Sequence, residues 1–180
     1  FSYATDIGPV IDQAAQDKLE AHKVRMHREA RRVLVDLAVP AACRAGTYVG
    51  PAVYEIDRIG QLEREVFGPI LHVLRYEADQ LDTLVDGINA MGYGLTLGVH
   101  SRIERTWRTV QARAHVGNVY INRGITGAVV GVQPFGGEGL SGTGPKAGGP
   151  HYLLRFISER TLTINTSAVG GNARLLAASG

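Results

Sequence analysis

The sequence predicts an α/β fold built on a parallel sheet. Between residues 70 and 122, β-rich stretches alternate with amphipathic ones in the order strand, helix, strand, helix, strand. Each crossover is long enough to bring the chain back parallel. The composition agrees: 44% hydrophobic and 20% charged residues belong to a folded globular chain and exclude a wholly disordered one. A length of 180 residues fits one ordinary domain of ~100–200.

Asp12 follows the rigid Gly8-Pro9 turn and is a good N-cap, so the spacing predicts a helix over residues 12–31. Its acids lie early (Asp12, Asp17) and its arginines late (Arg25, Arg28, Arg31, Arg32), an order that complements the helix dipole. The basic cluster reads as a solvated helix end rather than a nucleic-acid patch. Residues 33–39 read as a strand stopped by Pro40, and residues 47–57 as a second β-rich stretch broken or edged by Pro51. A turn over residues 61–65 leads to a strand at 70–76. A helix at 78–91 carries Leu81, Leu84, Val85 and Ile88 on one face, and Gly92 closes it. A strand at 95–100, a helix at 103–115 and a strand at 116–122 follow. Residues 124–150 have no period and hold ten of the 23 glycines, with Val129, Val130, Val132, Phe135 and Leu140 among them. Unpatterned loops of that length are functional or disordered, and the apolar residues argue for function. A short helix at 151–157 and a strand at 160–166 precede a tail, 168–180. No internal repeat is present.

Several function classes are excluded. Nineteen basic against seventeen acidic residues is not the balance of a chain made to neutralise phosphates, and no contact of this segment with nucleic acid is expected. No apolar run reaches the ~20 residues of a membrane helix. One cysteine, Cys43, excludes a disulfide framework and a cysteine-cage metal site, and suits a reducing compartment. Cys43 sits in a loop between strands with only Arg44 adjacent, and reads as a plain loop cysteine rather than a nucleophile. His22 and His27 are five apart on one helix, a spacing that puts them on different faces, so no metal site is expected. Asn165-Thr166-Ser167 matches a glycosylation acceptor, but no leader accompanies it.

Residues 137–142 (GEGLSG) satisfy G-x-G-x-x-G letter for letter. The dinucleotide fingerprint needs a strand before it and a helix opening on it, and here prolines and glycines flank it. The better reading is a loop shaped by its backbone, where missing Cβ atoms allow close approach. Glu65 and Phe67 are alternate residues and share one side of the chain. A carboxylate beside an aromatic ring can grip a ribose diol and back a flat heterocycle.

Taken in order, residues 65–69 (EVFGP), 94–99 (GLTLGV), 117–122 (GNVYIN) and 134–137 (PFGG) resemble the C-terminal part of an NAD(P)-dependent aldehyde dehydrogenase. Residues 6–12 (DIGPVID) are similar to the family's helix entry after its catalytic-cysteine region. Residues 129–150 (VVGVQPFGGEGLSGTGPKAGGP) resemble the L-glutamate γ-semialdehyde (1-pyrroline-5-carboxylate) dehydrogenase part of bifunctional proline-utilisation enzymes, and residues 160–166 and 170–172 resemble its continuation.

The resemblance implies a partial aldehyde dehydrogenase catalytic domain over residues 1–157, followed by an oligomerisation strand and tail over 158–180. It implies NAD as cofactor, with Glu65 binding the ribose and Phe67 flanking the nicotinamide. Phe135 lines the aldehyde channel, and the backbone N–H groups of Gly148 and Gly149 hold the amino acid end of the substrate, L-glutamate γ-semialdehyde. Closely spaced N–H groups form such an anion-binding concavity where no side chains obstruct it. In the family a thiolate attacks the aldehyde, hydride passes to nicotinamide, and a base-activated water hydrolyses the thioester. That cysteine and the general-base glutamate are expected upstream of this chain, so it carries no catalytic residue of its own, no metal, and is expected to be inactive alone. The opening Phe1 in place of Met fits a fragment. FAD is expected only in a proline dehydrogenase domain, if one precedes. The remaining partners implied are the rest of the parent polypeptide and further copies in a homo-oligomer, in a bacterial cytoplasm or peripheral at the inner membrane. The alternatives are another aldehyde dehydrogenase subfamily, or a non-catalytic assembly module in which Glu65 and Phe67 are incidental.

Overall fold

The computed structural model describes residues 5–165 and residue 177. In chain order its elements are α1 (Gln13–Glu29), β1 (Arg32–Asp36), β2 (Ala52–Ile56), β3 (Ile70–Leu74), α2 (Leu81–Ala90), β4 (Tyr93–Gly94), β5 (Thr96–Val99), α3 (Glu104–Arg113), β6 (Asn118–Ile121) and β7 (Glu138–Gly139). Short 3₁₀ turns at Ala41–Cys43, Ile59–Gln61, Ala78–Gln80 and Tyr152–Phe156 join or follow them.

Helix α1 begins where its cap dictates: the Asp12 carboxylate accepts the Ala15 N–H at 2.8 Å. The helix lies on a three-stranded sheet ordered β1-β2-β3, in which β1 and β2 run antiparallel and β2 and β3 parallel. Met26 packs with Ala52, Tyr54 and Ile56, all four at most 3% exposed. Burying a side chain of the size of Met26 or Ile56 stabilises by about 1.5–3 kcal/mol. Lys23, nearly buried, reaches Asp36 at 2.7 Å and ties the helix to the edge strand.

A second layer forms around a parallel pair, β5 and β6, joined by α3, with Thr96 opposite Asn118 and Val99 opposite Ile121. Val85 of α2 and Val110 of α3 are buried there. Asn89 clamps the two helices: its amide donates to Arg113 O and accepts from His115 N, both at 2.8 Å.

The structure corrects the expectation of one parallel sheet. The sheets are mixed: β1 is antiparallel, the parallel pairs β2–β3 and β5–β6 lie in separate sheets, and β4 pairs antiparallel with β7. Alternation of strand and helix constrains the handover within β5-α3-β6 but not which edge β3 chooses, and β3 takes β2. The stretch 47–57 yields a strand only from Ala52, because Pro51 has no N–H for a ladder. Residues 151–157 form a 3₁₀ turn rather than an α-helix. Residues 160–165 carry no strand assignment, and Thr166 lies outside the described residues. A strand exists only against a neighbour, and this segment joins no described sheet. Apart from Ala177, the tail 168–180 also lies outside the described residues.

Candidate functional site

Glu65 and Phe67 lie in an irregular segment between the Ile59–Gln61 turn and β3. The turn is tied to α1 from below. The buried Gln61 amide donates to Glu29 O at 2.8 Å and accepts the N–H groups of Asp57 and Arg58 at 2.8 and 3.1 Å. Arg25 donates to Gln61 O at 3.1 Å. Above this base the segment projects outward, with Glu65 exposed and Phe67 87% exposed. Both side chains line one cavity of ≈ 410 Å³ against the first turns of α1.

His22 from α1 and His72 from β3 meet beneath the same segment, Nε2 to Nε2 at 2.9 Å. Burial, then His72 and the cations Arg25 and Arg64, push the His22 pKa down to about 4. Burial and Arg25 lower that of His72 as well. Both rings are therefore neutral near pH 7, one donating and one accepting.

Phe135 lines a different cavity of ≈ 550 Å³, together with Leu95, Thr96, Ile125 and Thr126. Leu95 and Thr96 also face a ≈ 380 Å³ cavity that holds Glu65 and His72. The expected cofactor residue and the expected channel residue thus stand on two sides of the start of β5.

The glycine segment is held by its own main chain. Phe135 and Ala147 exchange two backbone hydrogen bonds at 3.0 and 2.8 Å, and Gly131 N–H donates to Gly148 O at 2.9 Å. Gly148 has φ +70°, and a Cβ there would lie 3.1 Å from Val130 Cα. Gly149 donates its N–H to Lys146 O at 3.1 Å, while the N–H of Gly148 has no acceptor among the described residues. Residues 137–142 open no helix; β7 within them pairs with β4, so the letter match to a dinucleotide fingerprint has none of its structural context.

Sequence reasoning missed two side chains that locate this segment. Asn118, at the start of β6, donates to Pro134 O at 3.0 Å and accepts from Gly136 N–H at 3.4 Å. Lys146 donates to Gly117 O and, at 3.1 Å, to Asn118 Oδ1. The one available signal was that Lys146 is the only basic residue between positions 124 and 150. The missed His22–His72 pair spans fifty positions, with no local trace in the sequence.

Cys43 ends the Ala41–Cys43 turn and lines none of the cavities that hold Glu65, Phe67 or Phe135. Among the described residues no three His, Cys, Asp or Glu side chains converge as a metal site. No described helix is long and apolar enough to cross a membrane.

The chain is an α/β protein with mixed sheets. Residues 1–162 match the profile of the Aldehyde dehydrogenase family, and the chain belongs to that family. Within it, the chain is 49% identical over 174 residues to the bifunctional protein PutA of Rhizobium meliloti, covering 97% of this chain and 14% of that protein. A crystal structure of proline utilization A from Bradyrhizobium japonicum superposes with a TM-score of 0.82 at 55% identity, over 92% of this chain and 16% of that one. The structure of 1-pyrroline-5-carboxylate dehydrogenase from Thermus with bound NAD matches with a TM-score of 0.73 at 35% identity, over 84% and 29% respectively. The chain therefore spans less than a third of the length of each of these relatives.

Proposed function

We propose that this chain is the C-terminal part of the catalytic domain of an NAD-dependent L-glutamate γ-semialdehyde dehydrogenase, which oxidises the semialdehyde to L-glutamate in proline catabolism. The observation that carries the reading is the unpaired N–H of Gly148 in a loop bridged to Phe135, one strand away from the Glu65 cavity. The names of the relatives point the same way: proline utilization and 1-pyrroline-5-carboxylate dehydrogenase.

The residues on the cofactor side fit a nicotinamide dinucleotide. Glu65 is an exposed acceptor for the paired hydroxyls of a ribose, and Phe67 offers an open ring face beside it. NAD, when bound, is the hydride acceptor. The chain's own residues orient and exclude: Glu65 and Phe67 set the cofactor's position, Phe135 narrows the approach of the aldehyde, and Gly148 donates to the carboxylate at its far end. Gly149 joins the donor set when its turn to Lys146 opens. Holding two reactants in a reactive geometry can contribute ~7–11 kcal/mol in the most favourable cases. Residues 1–157 form the catalytic part of this reading and 158–180 an oligomerisation strand and tail that pairs with another copy. The setting is the bacterial cytoplasm.

Gly148→Val in the full-length enzyme tests the anchor. A β-branched residue at positive φ is strained and would press on Val130. The KM for glutamate semialdehyde is expected to rise by ~10-fold or more, the equivalent of about 1.4 kcal/mol, with little change for pentanal. Equal effects on the two aldehydes would refute the assignment.

A further inference from the structure

The glycine loop contributes one cation of its own to its anchorage on β6, and among the described residues no carboxylate pairs with it. The ammonium of Lys146 is half-buried against β6, donating to Gly117 O and to Asn118 Oδ1. An ammonium has three N–H donors, so two are met by neutral oxygens and one is left over. No carboxylate among the described residues lies within ion-pairing distance of it. The loop has one other charged residue, Glu138, which is exposed and whose backbone is drawn away into the β4–β7 pair. Two residues beyond Lys146 stands the unpaired N–H of Gly148. Asn118 gathers the two ends of the loop: Pro134 and Gly136 from one side and Lys146 from the other.

We propose that Lys146 is a specificity-determining residue: through Gly117 and Asn118 it holds the main chain that presents Gly148, and its uncompensated charge selects aldehydes that carry a carboxylate. The inference rests on the semialdehyde dehydrogenase reading and deepens it. A half-buried charge is screened less than an exposed one, so its attraction for an anion persists at physiological salt. A neutral aldehyde of the same length meets the same channel without that attraction.

Lys146→Met and Lys146→Gln in the full-length enzyme test this, assayed with glutamate semialdehyde and with pentanal. Gln removes the charge and keeps N–H donors, on a side chain one bond shorter than that of Lys. Both variants are expected to raise the KM for the semialdehyde at least ~10-fold more than the KM for pentanal, since charge-assisted hydrogen bonds are the strong ones. Equal losses on both aldehydes would mean a merely structural pin and would overturn the inference, as would an unchanged preference in both variants. If the unsubstituted enzyme itself shows no preference for the semialdehyde over pentanal, the functional reading falls, and this inference with it.

Discussion

On the proposed reading, the Glu65–Phe67 segment and the glycine loop are opposite solutions to presenting a binding surface. The first is a side-chain site. Its backbone follows a turn tied to α1 by Gln61 and Arg25, and the groups proposed to bind, a carboxylate and a ring, are exposed. The second is a main-chain site. Its working group is an amide hydrogen, and its supports are hydrogen bonds between loop backbones together with the Asn118 and Lys146 side chains. A side-chain site tolerates small backbone shifts and fails when its residue changes. A main-chain site carries little chemistry in its side chains and fails when bulk is added.

Gly117→Val should break the contrast most severely. A Cβ at that position would fall 1.8 Å from Gly136 O, so β6 and the loop cannot keep their present contact. Overpacking of this kind costs about 1–3 kcal/mol or more, and a lower Tm together with loss of semialdehyde turnover is the expected outcome. If turnover survives, the loop is not held as described. Next in size is Glu65→Gln, which removes a charged acceptor. The KM for NAD should rise ~10–100-fold with the aldehyde KM little changed, from about 1.5–3 kcal/mol for hydrogen bonds to a charged group. A comparable rise in aldehyde KM would mean that the two regions are not separable in this way.

The smallest effect is one of pH. The folded protein holds His22 at about 4 against an ordinary 6.5, so the unfolded chain binds the proton more readily. The stability carried by the neutral His22–His72 pair is thus complete above pH 6.5 and is lost as the pH falls towards 4. Thermal melts of the full-length protein between pH 7.5 and about 4.5 should fall more steeply than those of His22→Gln. Identical slopes would show that the pair contributes nothing in that window.

What was legible in the sequence is local. Asp12 caps α1 because a cap needs only three residues of chain. The β5-α3-β6 unit was legible because its crossover is contiguous. Strand order was not, since β3 chooses between partners far apart in sequence. The Lys146–Asn118 contact joins residues 28 positions apart, and His22–His72 joins residues 50 apart. Neither leaves a periodic trace. The strand expected at 160–166 is a different case: residues 160–165 carry no strand assignment, Thr166 lies outside the described residues, and no described strand pairs with the segment.

Leu95 and Thr96 face both the cavity of Glu65 and the cavity of Phe135. The two sites share a party wall two residues thick. If a ligand in one cavity biases the conformation of that wall, the occupant of the other cavity must gain or lose affinity by the same factor in return, because coupling free energies are reciprocal. Communication between the two cavities would then need no long pathway through the protein, only the rotamers of Leu95 and Thr96.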